Sequence, residues 1–135
     1  MPMYDYSFLL QSDTANTTDA VTTNEVDFGV TTPAPNISNQ FGMHVIVTTT
    51  FTTLTEGVIW WILHGASGTL TTSSTKHTGM FVDVADMVKA AHHYVPCGSI
   101  PLLRYACGMF DAVSTAAGAG KTTVFLGSFD ASVTL

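Results

Sequence analysis

The residues with the strongest claim to chemistry are Gly118-Ala119-Gly120-Lys121-Thr122-Thr123. They match the end of a phosphate-binding loop, G-x-x-x-x-G-K-[ST], in which backbone N–H groups cradle phosphates and the hydroxyl ligates magnesium. The first glycine of that pattern would fall at position 115, which is Thr115, and only 15 residues follow Gly120. Such a loop must also open a helix in a parallel α/β domain, whereas Val124-Phe125-Leu126 has strand character. The segment is therefore read as a β-hairpin turn, and no nucleotide cofactor is expected.

Other constellations are weaker. His92-His93 and Cys97 lie close together and Cys107 follows, but neither C-x-x-C nor H-x-x-x-H spacing occurs, so no metal site is expected. On an extended strand His92 and His93 would point to opposite faces and could not share an ion. Cys97 with His64 or His44 is a conceivable nucleophilic pair, yet nothing in the sequence activates the thiol. Gly65-Ala66-Ser67-Gly68 is one residue short of a G-x-S-x-G elbow. The acids Asp83 with Asp86, and Glu25 with Asp27, are read as a helix cap and a solvated strand face rather than as paired catalytic carboxylates. No catalytic residue, cofactor or metal is expected; the chain reads as non-enzymatic.

Aromatic residues say more. Tyr4, Tyr6 and Phe8 alternate, so a strand would place them on one face, while the neighbours Trp60 and Trp61 must point to opposite faces. One tryptophan fits a core, and the other needs a covering loop or a second subunit. Tyr4, Tyr6, Phe8 and one of Trp60 and Trp61 are thus the candidate interface residues.

The elements that must position these groups follow from composition and periodicity. The chain has 135 residues, 46% of them hydrophobic and 10% charged, with a net charge of −6. That suits one domain, since a chain of this size buries roughly two-thirds of its unfolded surface in one core. Four basic residues are too few for phosphate-backbone binding or a polybasic membrane patch, so neither nucleic acid nor membrane is an expected partner. The longest apolar run, Val58 to Leu63, is far below the ~20 residues of a membrane span. The acidic opening Met1 to Tyr6 predicts no export signal, and two cysteines without a disulfide framework suit synthesis in a reducing host cytoplasm. Two glycosylation-type triplets, at Asn16 and Asn36, carry no weight without export.

Ser and Thr make up about a quarter of the chain, interleaved with Val, Phe and Leu, which favours strands over helices. Strands are predicted from Tyr6 to Leu10, Glu25 to Phe28, Met43 to Thr52, Val58 to Leu63, Leu102 to Val113 and Lys121 to Asp130. Within the third, Met43, Val45, Val47 and Phe51 share one face and His44 and the threonines the other, with Ile46 breaking the polar side. Val58 to Leu63, apolar on both faces, is a central or an interface strand. Pro33-Ala34-Pro35-Asn36 cannot be a central strand, Thr71 to Thr78 is hairpin and loop material, and one short helix is predicted from Val84 to Ala91, capped by Asp83. About eight strands with frequent turn signals predict an all-β fold: a jelly-roll-like antiparallel β-sandwich with at most one short helix.

Several segments then carry a resemblance. Tyr4 to Asp13, with an apolar pair running into Ser12-Asp13, leads to Asp19 to Gly29, a Thr-containing stretch ending in Asp27-Phe28-Gly29. Asp83 to Ala90 is a short Val-Ala-rich segment; Ile100 to Tyr105 is a Pro-containing strand start, and Ala116 to Thr122 an Ala-Gly-Lys turn. In this order the segments resemble the capsid cement proteins of tailed bacteriophages, of the type carried by a Bordetella short-tailed phage. The chain departs from that pattern at Ala91-His92-His93, where glycine would end the segment, and at Cys107, where a polar residue is usual.

The resemblance implies one jelly-roll domain over residues 1–135, with residues 1–12 as a contact arm. It implies a cement or decoration protein on the outer surface of the virion capsid, binding the major capsid protein and a second copy of itself, a dimer rather than a trimer. The other reading is a carbohydrate- or receptor-binding β-sandwich module of a virion, with an exposed tryptophan stacking on a sugar. A small hydrolase ranks behind both.

Overall fold

The computed structural model describes residues 8–29, 41–98, 102–113 and 116–128. Among the described residues nine strands follow one another: β1 (Leu9–Ala15), β2 (Ala20–Val21), β3 (Val26–Asp27), β4 (Phe41–Thr52), β5 (Gly57–Gly65), β6 (Thr75–Asp83), β7 (His92–Pro96), β8 (Tyr105–Val113) and β9 (Ala119–Ser128). They form two sheets, one ordered β1-β9-β4-β7 and the other β2-β8-β5-β6, with β3 also on β8.

The topology is a rolled-up hairpin. β5 and β6 form the innermost antiparallel pair, and β4–β7, β2 and β3 with β8, and β1–β9 nest outward from it. Closing the roll adds the pairs β4–β9 and β5–β8. This is the jelly-roll-like sandwich, with β2 and β3 as two short halves of one strand.

Local pattern explains the centres of both sheets. In β4 the predicted inner residues Met43, Val45, Val47 and Phe51 are all buried, and Ile46 is buried on the other face. In β5, Val58, Trp60 and Ile62 turn inward while Ile59 and Trp61 are half-buried outside, the period of two expected of a strand. The run Val58 to Leu63 is therefore a central strand, flanked by β6 and β8.

Three expectations are corrected. Thr75–Thr78, read as loop, begins β6, where β-branched threonine suits a sheet edge. The helix over Val84 to Ala91 is only a 3-10 turn, Val84–Asp86, although Asp83 caps it as expected by accepting a hydrogen bond from the Ala85 N–H at 3.0 Å. The turn ends at Met87, which leaves helical geometry at ψ 55°, and further on Ala90, at φ +77°, turns its N–H back to the Val47 carbonyl of β4. Gly118-Ala119-Gly120 is not a hairpin turn, because β8 and β9 lie in different sheets. It leads into β9, and a side chain at Gly120 would collide with the Phe51 ring. Lys121, Thr122 and Thr123 lie within that strand, a geometry no phosphate-binding loop adopts. Pro33 to Asn36, Ile100 and Pro101 lie outside the described residues.

A polar clip ties the first strand to the last. The Gln11 side-chain amide donates to Thr122 Oγ1 at 2.8 Å and to Asn16 Oδ1 at 3.1 Å, and the Thr122 hydroxyl donates to Asn16 Oδ1 at 2.6 Å. All three residues are buried. Thr122→Val keeps the volume but removes the central hydroxyl, so it is expected to cost about 1–3 kcal/mol in urea unfolding, with Thr122→Ser retaining most of the stability.

Candidate functional site

The aromatic candidates fall into separate environments. Phe8 packs against Phe28 and Phe41, with ring centroids 6.0 and 6.1 Å away, so it closes one end of the core. Tyr4 and Tyr6 lie outside the described residues, as does most of the expected contact arm; its residues 9–12 belong to β1. Trp60 has no exposed surface and meets Phe110 edge-on at 5.4 Å in the core. Trp61 faces outward, which leaves it as the tryptophan available for contact.

Around Trp61 the outer face of the second sheet forms a patch. By strand register Ile59 lies beside Phe81 and Asp111, and Trp61 beside Gly79 and Met109. Phe81 is 52% exposed. Trp61 Nε1 donates to Asp111 Oδ2 at 3.0 Å, and Lys76 Nζ sits 5.0 Å from its ring centroid. A side chain at Gly79 would collide with the indole, so the ring lies flat across β6 and is held on three sides. A pinned, half-buried indole beside an exposed Phe81 costs little order on contact and suits a protein interface. Sequence reasoning missed Phe81; the usable signal was its place two residues after Gly79, in register with the outward row.

The other half of this face is covered by its own loop. Thr69 and Leu70 of the loop after β5, with Val21, Glu25 and Cys107, help to line a cavity of about 200 Å³. Glu25 latches the loop, accepting from the Thr69 N–H at 2.7 Å and the Leu70 N–H at 3.1 Å. Thr69 has φ +63°, a strained conformation for a β-branched residue, which the two charge-assisted bonds hold in place. Glu25→Ala is expected to release the loop. Backbone hydrogen exchange at Thr69 and Leu70 should rise at least about tenfold, and Cys107 should become reactive to a thiol reagent while Cys97 stays protected.

The cysteines and histidines singled out in the sequence, and Asp27 with Arg104, are tied into the fold. Burial pushes the thiols of Cys97 and Cys107 up to about 12, so both behave as core hydrophobes rather than nucleophiles. The imidazole next to Cys97 is His77, whose Nε2–H donates to the Cys97 carbonyl and not to sulfur. His92 and His93 do point apart: His92 Nε2 lies 2.8 Å from His44 Nδ1, and His93 Nε2 donates to the Asp86 carbonyl. Arg104 grips the Asp27 carboxylate through two nitrogens, at 2.8 and 3.1 Å, and holds it below the usual carboxylate range. Among the described residues no three His, Cys, Asp or Glu side chains gather to hold a metal ion, and no helix is long and apolar enough to cross a membrane.

No protein-family model and no curated protein sequence matches the chain.

Proposed function

We propose that this chain is a non-enzymatic virion structural protein, a capsid cement protein that binds the outer surface of a tailed-phage head and stabilises contacts between major capsid proteins. One observation carries the reading: a rigid sandwich presents Trp61, Ile59 and Phe81 as one apolar outer patch, with Lys76 and Asp111 at the indole. A patch of this kind marks a protein contact rather than a reaction centre. The jelly-roll-like fold and the cement-protein resemblance of the sequence support the same reading. Each copy needs only a modest contact, because avidity over many copies supplies the hold. The net charge of −6 keeps such a layer off the packaged genome. Its partners are then the major capsid protein and a second copy of itself, and its place is the outside of the capsid.

The test is the copy number of the protein in purified virions relative to the major capsid protein. A fixed icosahedral ratio is the expected result. A few copies per particle would favour a tail or receptor-binding role, and absence from particles would overturn the structural reading. The carbohydrate-binding alternative has less support, because the Trp61 ring already carries Lys76 and lies against the β6 backbone. A change in tryptophan fluorescence on titration with glycans would revive it.

A further inference from the structure

The two sheets end in four edges, and three of them are blunted. β1 is broken by register shifts between Leu9 and Gln11 and again between Gln11 and Thr14, with Asp13 at φ +45°. β7 has five residues and closes on Pro96. β2 and β3 have two residues each. The fourth edge, β6, has nine residues, no proline, and no charge between Lys76 and Asp83. Its only irregularity is the bulge opposite Ile62 and Leu63. Among the described residues no strand pairs with its outer side. A long, regular and partly apolar edge is a template for another strand, and folded proteins blunt or cover such edges.

The order of residues along β6 indicates what covers it. Register with β5 places Asp83, Phe81 and Gly79 opposite Gly57, Ile59 and Trp61; the bulge then brings Lys76 opposite Leu63 on the same face. The outward row therefore reads Lys76, Gly79, Phe81, Asp83: positive at one end, negative at the other, with an aromatic beside a gap between them. Reversed, the row complements itself. An antiparallel copy sets Lys76 beside Asp83 of the second copy at both ends, and Phe81 beside Gly79 of the second copy at the middle. A parallel copy would instead oppose like charges. Most self-contacts of a chain with net charge −6 meet repulsion, whereas this row is neutral.

We propose that β6 pairs antiparallel with β6 of a second copy about a two-fold axis through Met80, joining the two outer sheets into one. A two-fold axis perpendicular to the sheet requires paired residues to lie on the same face, and the Met80 register satisfies this while the bulge at Lys76 and His77 faces Asp83 of the second copy. Phe81 then packs against the edge of the partner's indole. This rests on the self-association contained in the proposed function and adds its surface and register.

Light scattering after size exclusion, across a range of concentrations, tests it on the full chain. Wild-type protein should be dimeric. Lys76→Glu alone and Asp83→Lys alone should each raise the dimer dissociation constant about tenfold, and the double swap should restore it to within about threefold. Phe81→Ala should also raise it at least about tenfold. Asp83 also caps the 3-10 turn, so the double swap separates loss of the cap from loss of the contact. Met80→Cys should give a disulfide-linked dimer on oxidation, since directly opposed strand residues sit within bridging distance. A wild-type chain that stays monomeric overturns the inference. So does a dimer indifferent to the charge swap and to Phe81→Ala, although self-association would then stand on another surface. Neither result alters the virion copy number, which tests the proposed function separately.

Discussion

Trp60→Ala is expected to destabilise the protein by about 3–5 kcal/mol, the largest effect of any single truncation. Trp60 is the largest of the fully buried side chains and sits between the sheets with Phe110, which in turn stacks on Phe51 at 5.7 Å. Removing it opens a cavity that two hydrogen-bonded sheets cannot close. For a domain of this size the loss corresponds to a fall in Tm of roughly 10–20 °C. Trp60→Phe should behave quite differently. The indole Nε1 has no hydrogen-bond partner among the described residues, so the native side chain already bears the cost of a buried, unpaired donor. Phenylalanine gives up some packing but removes that donor, and a loss of no more than about 1.5 kcal/mol is expected. Urea unfolding of both variants checks the contrast; equal losses would show that the Nε1 carries no penalty.

Stability should also fall steeply with acid, through three histidines. His44 Nε2–H donates to the Ser128 carbonyl at 2.8 Å, which leaves Nδ1 as the acceptor of the His92 Nε2–H. A proton added at His44 Nδ1 would face that N–H. Burial lowers the His44 pKa first and the nearby His92 adds to it, while the Ser128 bond opposes them. Burial likewise lowers His92, with His93 adding to it, and lowers His64, with His77 adding to it. His64 Nδ1 further accepts from the Leu103 N–H at 3.2 Å, a bond that a proton there would break. All three groups bind protons more tightly in the unfolded chain than in the fold. Unfolding stability therefore rises with pH in this window. It is complete above the unfolded value of about 6.5 and falls as pH drops from there toward the lower folded values. For the fully buried His44 the slope approaches about 1.4 kcal/mol per pH unit, and the two more exposed histidines add less because solvent screens them. Urea midpoints measured from pH 8 down to pH 5 should show the decline. His44→Phe should flatten it, at the cost of the Ser128 bond; an unchanged slope would remove His44 from the account.

Much of the fold was legible because it rests on local periodicity. Alternation alone placed Met43, Val45, Val47 and Phe51 on one buried face, and the two-sided apolar run Val58 to Leu63 marked a strand either central or at an interface, which the pairing with β6 and β8 resolves as central. β6 was hidden, because Thr75 to Thr78 lacks an apolar alternation and becomes a strand only through its ladder with β5. The Gly118-Ala119-Gly120 stretch misled for a related reason. A glycine turn beside two strands signals a hairpin locally, but here the chain crosses to the other sheet, which only the distant partners of β9 decide. For the same reason Phe81 passed unnoticed while Trp60 and Trp61 stood out. The sequence establishes that one of the tryptophans faces inward, and only the register of β5 against β6 and β8 says which.

By itself, then, the sequence determined the all-β class, the inner face of β4, the two-sided apolar character of β5 and the acidic, charge-poor surface, because strand propensity, period-two patterning and net charge are properties of neighbouring residues and of composition. The tertiary structure decided the order of strands, the clip from Gln11 to Thr122, the histidine that must stay neutral and the edge of β6 that no other described strand pairs with. Each of these depends on which residues meet across long loops, and that choice is made by the whole core at once.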